Sequence, residues 1–333
     1  MSLISKKILL IFLFTFSILS ASEVADSLLT RIENSKGLDL IEARLDYAYY
    51  MRRNNADISK EQSIIALNSI RENYDDKDLE AKALYYIALP IYYTHKYEEA
   101  LVYFQESLNI SKITNNLFLQ SEIYFFLATT HYYFYSDVDL AIRYYNLSIS
   151  QGQKCGNYRI LGASYSMFSN IYRRGGSYEK SLEFAYKSKN NYELSGFKEG
   201  LAWSAYTMGS LYYTVDLLDD AKRLFSEALD EYRTISKTND NITGIAICLD
   251  QLTMLTSEMG NYDQAEKYNN ESISLYKKQN LRSGMSTALR LKSGLEYHKG
   301  HYDEALSLLD SSFSIKREIS DFIGFSKVYE EIG

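Results

Sequence analysis

Apolar residues recur at the spacing of α-helices along most of the chain, and this periodicity predicts long amphipathic helices. The pattern also repeats at long range. Related blocks begin at residues 95, 176, 260 and 300, with the sequences HKYEEALVYFQESL, GSYEKSLEFAYKSK, GNYDQAEKYNNESI and GHYDEALSLLDSSF. A unit of two helices joined by a turn accounts for such a period, so the pattern favours a stack of helix hairpins.

Three series of small residues keep the register of this repeat. The first series lies in the second helix of each predicted hairpin and comprises Ala100, Ala141, Ser181, Ala221, Ala265 and Ala305. The second series follows seven residues later and comprises Ser107, Ser148, Ser188, Ala228, Ser272 and Ser312. The third series opens the preceding helix and comprises Ala81, Ser121, Gly162, Ala202, Ala246, Ser286 and Ser326. Small residues at fixed places predict points where helix backbones approach closely.

The turns between paired helices are marked by Gly176, Gly260 and Gly300, since Gly adopts a left-handed conformation at the least cost. Two irregularities interrupt the series. The segment FYSDVDL at 134–140 predicts a longer turn, and four extra residues lie near SKTND at 236–240.

The motif MGSLYYTVDLLDDAKRLFSEAL, with Gly209, Tyr212, Ala221, Phe225 and Ala228, resembles the tetratricopeptide repeat (TPR) family. The resemblance implies an all-α fold, a right-handed superhelical solenoid of stacked antiparallel helix hairpins. The period of about 40 residues exceeds the common 34 and is similar to that of a longer-helix subgroup found in bacterial sensors and regulators. The Pro that usually follows the second helix of the family's repeat is absent.

The repeats divide the chain. Residues 23–76 are predicted to form two or three helices, including a degenerate hairpin that caps the array, and residues 77–333 to form six repeats and the start of another. In that last part, Gly324–Ser326 matches Gly284–Ser286, and Gly333 falls halfway along a predicted helix. We therefore expect the sequence to be the front part of a longer protein.

The first 22 residues have the pattern of a signal peptide. Lys6 and Lys7 precede the apolar run ILLIFLFTFSIL, and the small residues Ser20 and Ser22 follow it. The run is short for a membrane span, so a cleaved signal is favoured over an uncleaved signal anchor. Either interpretation predicts export, to the periplasm or the extracytoplasmic face of the membrane.

Composition narrows the function. A single Pro among 333 residues agrees with long, unbroken helices. The net charge of −7 leaves no basic stripe for a phosphate backbone, so nucleic acid is not an expected partner. Membrane contact is expected only through a signal anchor or a C-terminal span beyond the sequence. Cys155 and Cys248 are predicted to be unpaired structural thiols, although a disulfide is an alternative.

Residues that could carry catalysis are scarce. No phosphate-binding loop, HExxH helix or serine elbow is present. Of the four histidines only His298 and His301 are close in sequence, with Asp303 and Glu304 after them. A metal site there is an alternative to the commoner solvent-facing turn histidines. We predict no catalytic residue, no cofactor and no metal.

The resemblance to TPR proteins implies that the first helix of each hairpin lines a ligand groove. Carried over repeat by repeat, the candidate groove residues are Tyr85, Tyr92, Tyr93, Phe125, Tyr132, Tyr133, Arg173, Arg174, Trp203, Tyr206, Tyr213 and Tyr297. Aromatic side chains suit peptide or protein recognition, and the two arginines suit a ligand carboxylate. The alternative is that these aromatics pack between neighbouring repeats.

Together these features predict a non-catalytic, exported bacterial TPR module that binds a protein or peptide. We expect it to be the sensory or scaffold part of a signal-transduction protein whose output domain, such as a kinase or nucleotide cyclase, follows residue 333. The alternative is a self-contained exported scaffold for envelope protein assembly.

Overall fold

The computed structural model describes residues 21–239 and 242–318. Residues 1–20 of the predicted signal peptide, which was expected to extend to residue 22, and residues 319–333, which include the predicted partial repeat, lie outside the described residues. Within the described ranges the regular secondary structure consists of α-helices joined by short turns, as predicted. None of the described helices combines the length and the hydropathy that crossing a bilayer requires.

Fifteen helices lie in the described part of the chain. They are α1 (Ala21–Asn34), α2 (Gly37–Met51), α3 (Ala56–Asn73), α4 (Lys77–Tyr93), α5 (Tyr97–Ile113), α6 (Leu117–Tyr133), α7 (Val138–Cys155), α8 (Tyr158–Arg174), α9 (Tyr178–Ser195), α10 (Lys198–Thr214), α11 (Leu218–Asn239), α12 (Ile242–Glu258), α13 (Tyr262–Lys278), α14 (Arg282–His298) and α15 (Tyr302–Glu318). Consecutive helices pair into hairpins, from α2/α3 to α14/α15. The predicted stack of helix hairpins is confirmed.

The hairpins belong to two compact units. The first unit comprises residues up to Ile160 and therefore α1 to α7 with the first residues of α8. The second comprises most residues from Leu161 onward. Residues 23–76, predicted as additional helices, contain α1, α2 and α3.

The predicted contact points are confirmed, because every described member of the three small-residue series is buried. Several serines also join the two helices of their own hairpin. The hydroxyl of Ser107 donates to the carbonyl of Ala81 at 2.7 Å, and that of Ser148 donates to the carbonyl of Ser121 at 2.8 Å. The same bond recurs in α8/α9 and α14/α15. The series therefore fix both the spacing and the register of the paired helices.

Turn and cap residues define where the helices begin and end. Gly176, Gly260 and Gly300 have φ values of 74°, 76° and 84°, so the predicted left-handed turn positions are confirmed. The predicted longer turn, 134–137, separates α6 from α7 by four residues, whereas three separate α4 from α5. At its end the carboxylate of Asp137 caps α7 by accepting from the backbone N–H of Leu140.

Candidate functional site

A cavity of 520 Å³ in the first unit is formed by the first helices of successive hairpins. We call it the Glu122 cavity. Its lining consists of Glu42 and Tyr49 on α2, Leu79, Lys82, Tyr85, Tyr86 and Asp78 on α4, Phe118, Leu119 and Glu122 on α6, Arg159 on α8, and Asp76 and Asn116 directly before α4 and α6. Its volume lies in the range of about 300–1,000 Å³ that is usual for ligand sites.

The carboxylate of Glu122 is the centre of a buried polar network. Only 4% of its side chain is exposed, and Nη2 of Arg159 lies 2.5 Å from both carboxylate oxygens. The amide nitrogen of Asn157 donates to Oε1 at 2.9 Å, and the hydroxyl of Tyr85 donates to Oε2 at 2.9 Å. A buried carboxylate requires such partners, because an unpaired charge away from water is costly.

The two titratable donors of this network, Arg159 and Tyr85, both have raised pKa values. Burial opposes the charge on Arg159, but the adjacent Glu122 outweighs it and raises the pKa of the guanidinium. Burial, followed by the charge of Glu122, also raises the pKa of the Tyr85 hydroxyl well above its ordinary value. Arg159 therefore stays a cation and Tyr85 stays a hydrogen-bond donor at physiological pH. The carboxylate on the floor of the cavity is therefore already paired within the protein.

The remaining charged side chains of the cavity are mostly acidic. The carboxylate of Asp76 caps α4 by accepting from the backbone N–H of Leu79 at 2.9 Å. Asp78 accepts from the amide of Asn116 at 3.3 Å. Four carboxylates and two cationic side chains line the cavity, so its formal charge is −2.

Aromatic rings form the walls. The rings of Tyr49 and Tyr86 lie 5.0 Å apart, and those of Tyr85 and Tyr86 lie 5.7 Å apart. Phe118 is 53% exposed, although it stands at the second position of α6. These described lining residues include no Ser, Thr, Cys or His. The lining offers hydrogen bonds, charge and aromatic faces, which are features of recognition.

In the first unit the predicted groove residues occupy different environments. Tyr85 is a wall of the Glu122 cavity, with its ring buried. Tyr92 and Tyr93 are half-buried, and the hydroxyl of Tyr92 donates to Thr129 at 3.1 Å. Phe125 is half-buried too.

At the end of α6, Tyr132 is buried and Tyr133 is exposed, and their rings meet edge to face at 4.8 Å. Most of these aromatics therefore bridge neighbouring helices.

The second unit links its first helices in a similar way. Nε1 of Trp203 donates to the hydroxyl of Ser166 at 2.8 Å, and the indole stacks on Tyr206 at 5.1 Å. The guanidinium of Arg173 donates to Asn170 at 2.9 Å and to Thr214 at 3.3 Å.

The other predicted residues of this unit lie nearer the surface. Arg174 and Tyr297 are exposed, and the hydroxyl of Tyr213 donates to Glu258. The role of these residues as a ligand groove stays a prediction.

Sequence reasoning missed most of the Glu122 cavity, including Glu42, Tyr86, Phe118, Glu122 and Arg159. One signal was available. Glu122 is the only charged residue in the run LFLQSEIYFFLATT, and an acid inside an apolar helix needs a buried partner. Its partner Arg159 lies 37 residues away, close to the repeat period.

The histidines at the α14–α15 turn are the candidate metal ligands of the sequence. Both His298 and His301 are exposed, as expected of turn residues. Ligand atoms of Glu296, His301 and Glu304 lie within 4.8 Å of one another. However, Nδ1 of His301 and Nζ of Lys299 already contact the Glu296 carboxylate, at 2.8 Å and 3.1 Å. The cluster is explained as a local ion-pair network.

The two described cysteines are free thiols, as predicted. Burial raises the pKa of Cys248 to about 12, so this thiol is unreactive at neutral pH.

Comparisons with known proteins identify solved structures that have a similar architecture. No family model and no curated protein matches the chain. Among solved structures, a Rap protein complexed with competence and sporulation factor is similar, with a TM-score of 0.63 and 16% identity over 86% of this chain and 80% of that one. A signal-transduction ATPase with a tetratricopeptide repeat sensor, from Pyrococcus horikoshii, matches with a TM-score of 0.58 and 16% identity over 94% of this chain. The chain has the fold of a TPR-type helical repeat protein.

A further TPR-type neighbour is NprR in complex with its cognate peptide NprX. Its TM-score is 0.61 and its identity is 14%, over 94% of this chain and 88% of that one. The chain spans 49% of the Pyrococcus ATPase. Identities this low establish the fold alone.

Proposed function

We propose that this TPR-type chain is a non-catalytic module that binds a peptide or an extended protein segment in the Glu122 cavity. The observation that carries the proposal is the cavity itself. Its floor carries the ion pair of the buried Glu122 carboxylate with the partly exposed Arg159, and its walls are aromatic. It lies on the first helices of the hairpins. A preorganised site loses little freedom on binding, which favours affinity for a small ligand.

Two structural neighbours support the choice of ligand. The Rap protein was solved with competence and sporulation factor, and NprR was solved with the peptide NprX. Both share the fold of this chain, which makes peptides the first ligands to test.

The test uses selection and a matched pair of variants. Random 12-residue peptides displayed on phage are selected on the immobilised full chain, and the affinity of synthetic copies is measured by fluorescence anisotropy. Phe118→Ala removes an exposed ring at the cavity. Phe134→Ala removes a ring of similar exposure, 47%, at the α6–α7 turn and serves as the control.

We expect Phe118→Ala to weaken binding by a factor of at least 10, because buried aromatic anchors carry much of the energy of an interface. Phe134→Ala should bind as the wild type does. Failure to select any peptide, or equal affinities for both variants, would contradict the proposal.

We also propose that the chain is exported and serves as the sensory part of a larger signalling protein. The charged and apolar pattern of residues 1–22 supports export, and the long repeat period supports a sensory role. A fusion of the chain to alkaline phosphatase, which is active only outside the cytoplasm, should be active in bacteria and lose activity when residues 1–22 are deleted. An inactive fusion that accumulates to normal levels would contradict export.

A further inference from the structure

The charge of the Glu122 cavity indicates which ligand chemistry fits it. Glu122 and Arg159 neutralise one another on the floor. What remains is Glu42, Asp76 and Asp78 against the single cation Lys82. The side of the cavity that faces an incoming ligand is therefore acidic.

The carboxylates on this side of the cavity can accept further hydrogen bonds. Each of Asp76 and Asp78 uses its Oδ1 for a contact within the protein, and a carboxylate has two oxygens with about four acceptor sites. Glu42 has 53% of its side chain exposed, and Nη2 of Arg31 lies 4.0 Å from its Oε2. An ion pair that long and that exposed contributes little. These carboxylates can accept hydrogen bonds from a bound cation.

Lys82 does not neutralise this side fully. Its ammonium lies 3.9 Å from Asp46, outside the cavity lining, and 5.5 Å from the ring centre of Tyr86. The latter distance is that of a cation–π contact, so the face of Tyr86 is already presented to a positive charge.

A ligand anion fits less well. It would have to compete for Arg159 with Glu122, a buried carboxylate that also accepts from Asn157 and Tyr85. Removing that carboxylate from its donors would leave a buried charge unpaired, which is costly.

We propose that the cavity recognises a cationic group of the bound peptide, either a Lys or Arg side chain or the free amino terminus. This inference rests on the proposed function, since it names the ligand chemistry of the same site. Glu42 and Asp78, two exposed acids of the lining, accept hydrogen bonds from the cation. The apolar stem behind it packs on the exposed ring of Phe118.

The test uses small probes, so it does not depend on a selected peptide. The side-chain probes are N-acetyl-arginine amide and N-acetyl-lysine amide, and glycine amide supplies a free amino terminus. N-acetyl-citrulline amide is the neutral counterpart of the arginine probe. Binding is followed by NMR through the methyl groups of Leu79 and Leu119, both of which line the cavity.

The matched variants are Glu42→Gln/Asp78→Asn and Glu98→Gln/Asp139→Asn. The second pair removes the same charge from exposed acids in the first turns of α5 and α7. At least one cationic probe should shift the methyl signals, and the probe that does so identifies the source of the cation. Its affinity should fall by a factor of at least 5 in the first variant and stay unchanged in the second.

Equal binding of the citrulline and arginine probes, unchanged binding by the first variant, or no shift with any cationic probe would overturn the inference. Peptide selection separates this failure from failure of the proposed function. Peptides that need Phe118 but contain no required cation would leave the proposed function standing and remove only the inference. Cationic probes that bind while no peptide is selected would contradict the proposed function and show only that the cavity binds a cationic group.

Discussion

The two units each bury a carboxylate on the first helix of a hairpin, but they stabilise it differently. Glu122 in the first unit is 3% exposed as a residue and has a guanidinium and two neutral donors as partners. Asp250 in the second unit is 5% exposed and accepts from the hydroxyl of Tyr276 at 2.7 Å, whereas its Oδ1 has no hydrogen-bond partner. The comparison separates a buried carboxylate that is paired with a guanidinium from one that has a single neutral donor and a raised pKa.

The units also differ where one hairpin joins the next. In the first unit a small residue lies near the end of one hairpin, and a large residue lies eight positions later, near the start of the next hairpin. The pairs are Ser111 with Leu119 and Gly152 with Ile160. In the second unit the sizes are exchanged. The pairs there are Tyr192 with Gly200, Tyr232 with Gly244 and Tyr276 with Gly284, and each tyrosine ring covers its glycine. The second pair is twelve residues apart and the others eight, because four extra residues lie near SKTND. At equivalent positions of the repeat, the first unit therefore places the small residue first and the large residue second, and the second unit places them in the opposite order.

The largest expected effect follows from the paired carboxylate. Glu122→Gln should destabilise α6 by about 3 kcal/mol, because Arg159 would keep its charge and lose its counter-ion. Hydrogen-exchange mass spectrometry measures this for each helix. The control is Glu183→Gln, which breaks an exposed ion pair with Lys187 and should cost about 0.5 kcal/mol or less. Equal losses of stability in the two variants would show that burial of the carboxylate does not increase the contribution of its ion pair.

Asp250 tests the other half of the comparison. Burial raises its pKa to about 6 from an ordinary 3.8, against the opposing effects of Tyr276, Ser272 and Arg290. The folded state therefore binds a proton that the unfolded state releases, and stability should fall as the pH rises from about 4 to 6. The loss is about 2 to 3 kcal/mol and is complete above pH 6.

The substitution Asp250→Asn should remove this pH dependence and stabilise the second unit at pH 7. Hydrogen exchange in α12, compared between pH 4.5 and pH 7, is the measurement. Because the two pH values change the intrinsic exchange rate, the free energies are compared after that correction. A slope that persists in the Asn variant would assign the effect to another group.

The tyrosine–glycine pairs between hairpins of the second unit predict that Gly→Ala substitutions will change stability in opposite directions at different positions. A Cβ on Gly284 would overlap the ring of Tyr276, so Gly284→Ala should destabilise the protein by about 2 kcal/mol. Gly294 in the same helix has open space within 4 Å of the place where a Cβ would lie, so Gly294→Ala should instead stabilise by about 0.5–1 kcal/mol. Urea denaturation measures both. Changes of the same sign would contradict the packing explanation.

The smallest expected effect concerns the serine bonds within hairpins. Ser107→Ala should cost about 1 kcal/mol, since the carbonyl of Ala81 loses a buried donor. Ser311→Ala removes an exposed hydroxyl that bonds within its own helix and should change little. Thermal unfolding compares the two, and an equal shift in Tm would argue against a role for the bond between helices.

Much of the fold followed from local pattern, and most of the site did not. The small-residue series and the turn glycines reflect backbone geometry, and the residue type at one position is enough to indicate that geometry. The Glu122 cavity depends on side chains that meet across four hairpins, and their contacts are set by helix rotation and not by spacing alone. Tyr85 was predicted, whereas Glu42 and Phe118 lay in segments whose helical pattern gave no sign of a shared surface. Asp250 carries the same signal as Glu122, because it is the only charged residue in the apolar run ITGIAICLDQLTMLT.

The serine bond between Ser107 and Ala81 spans only 26 residues, and the same separation recurs in later hairpins. Contacts this local keep the contact order low, so each hairpin can close without waiting for distant parts of the chain. Folding can then begin in more than one hairpin and spread to its neighbours. During synthesis, α4 and α5 have all the partners for this bond as soon as α5 is complete, long before the second unit exists.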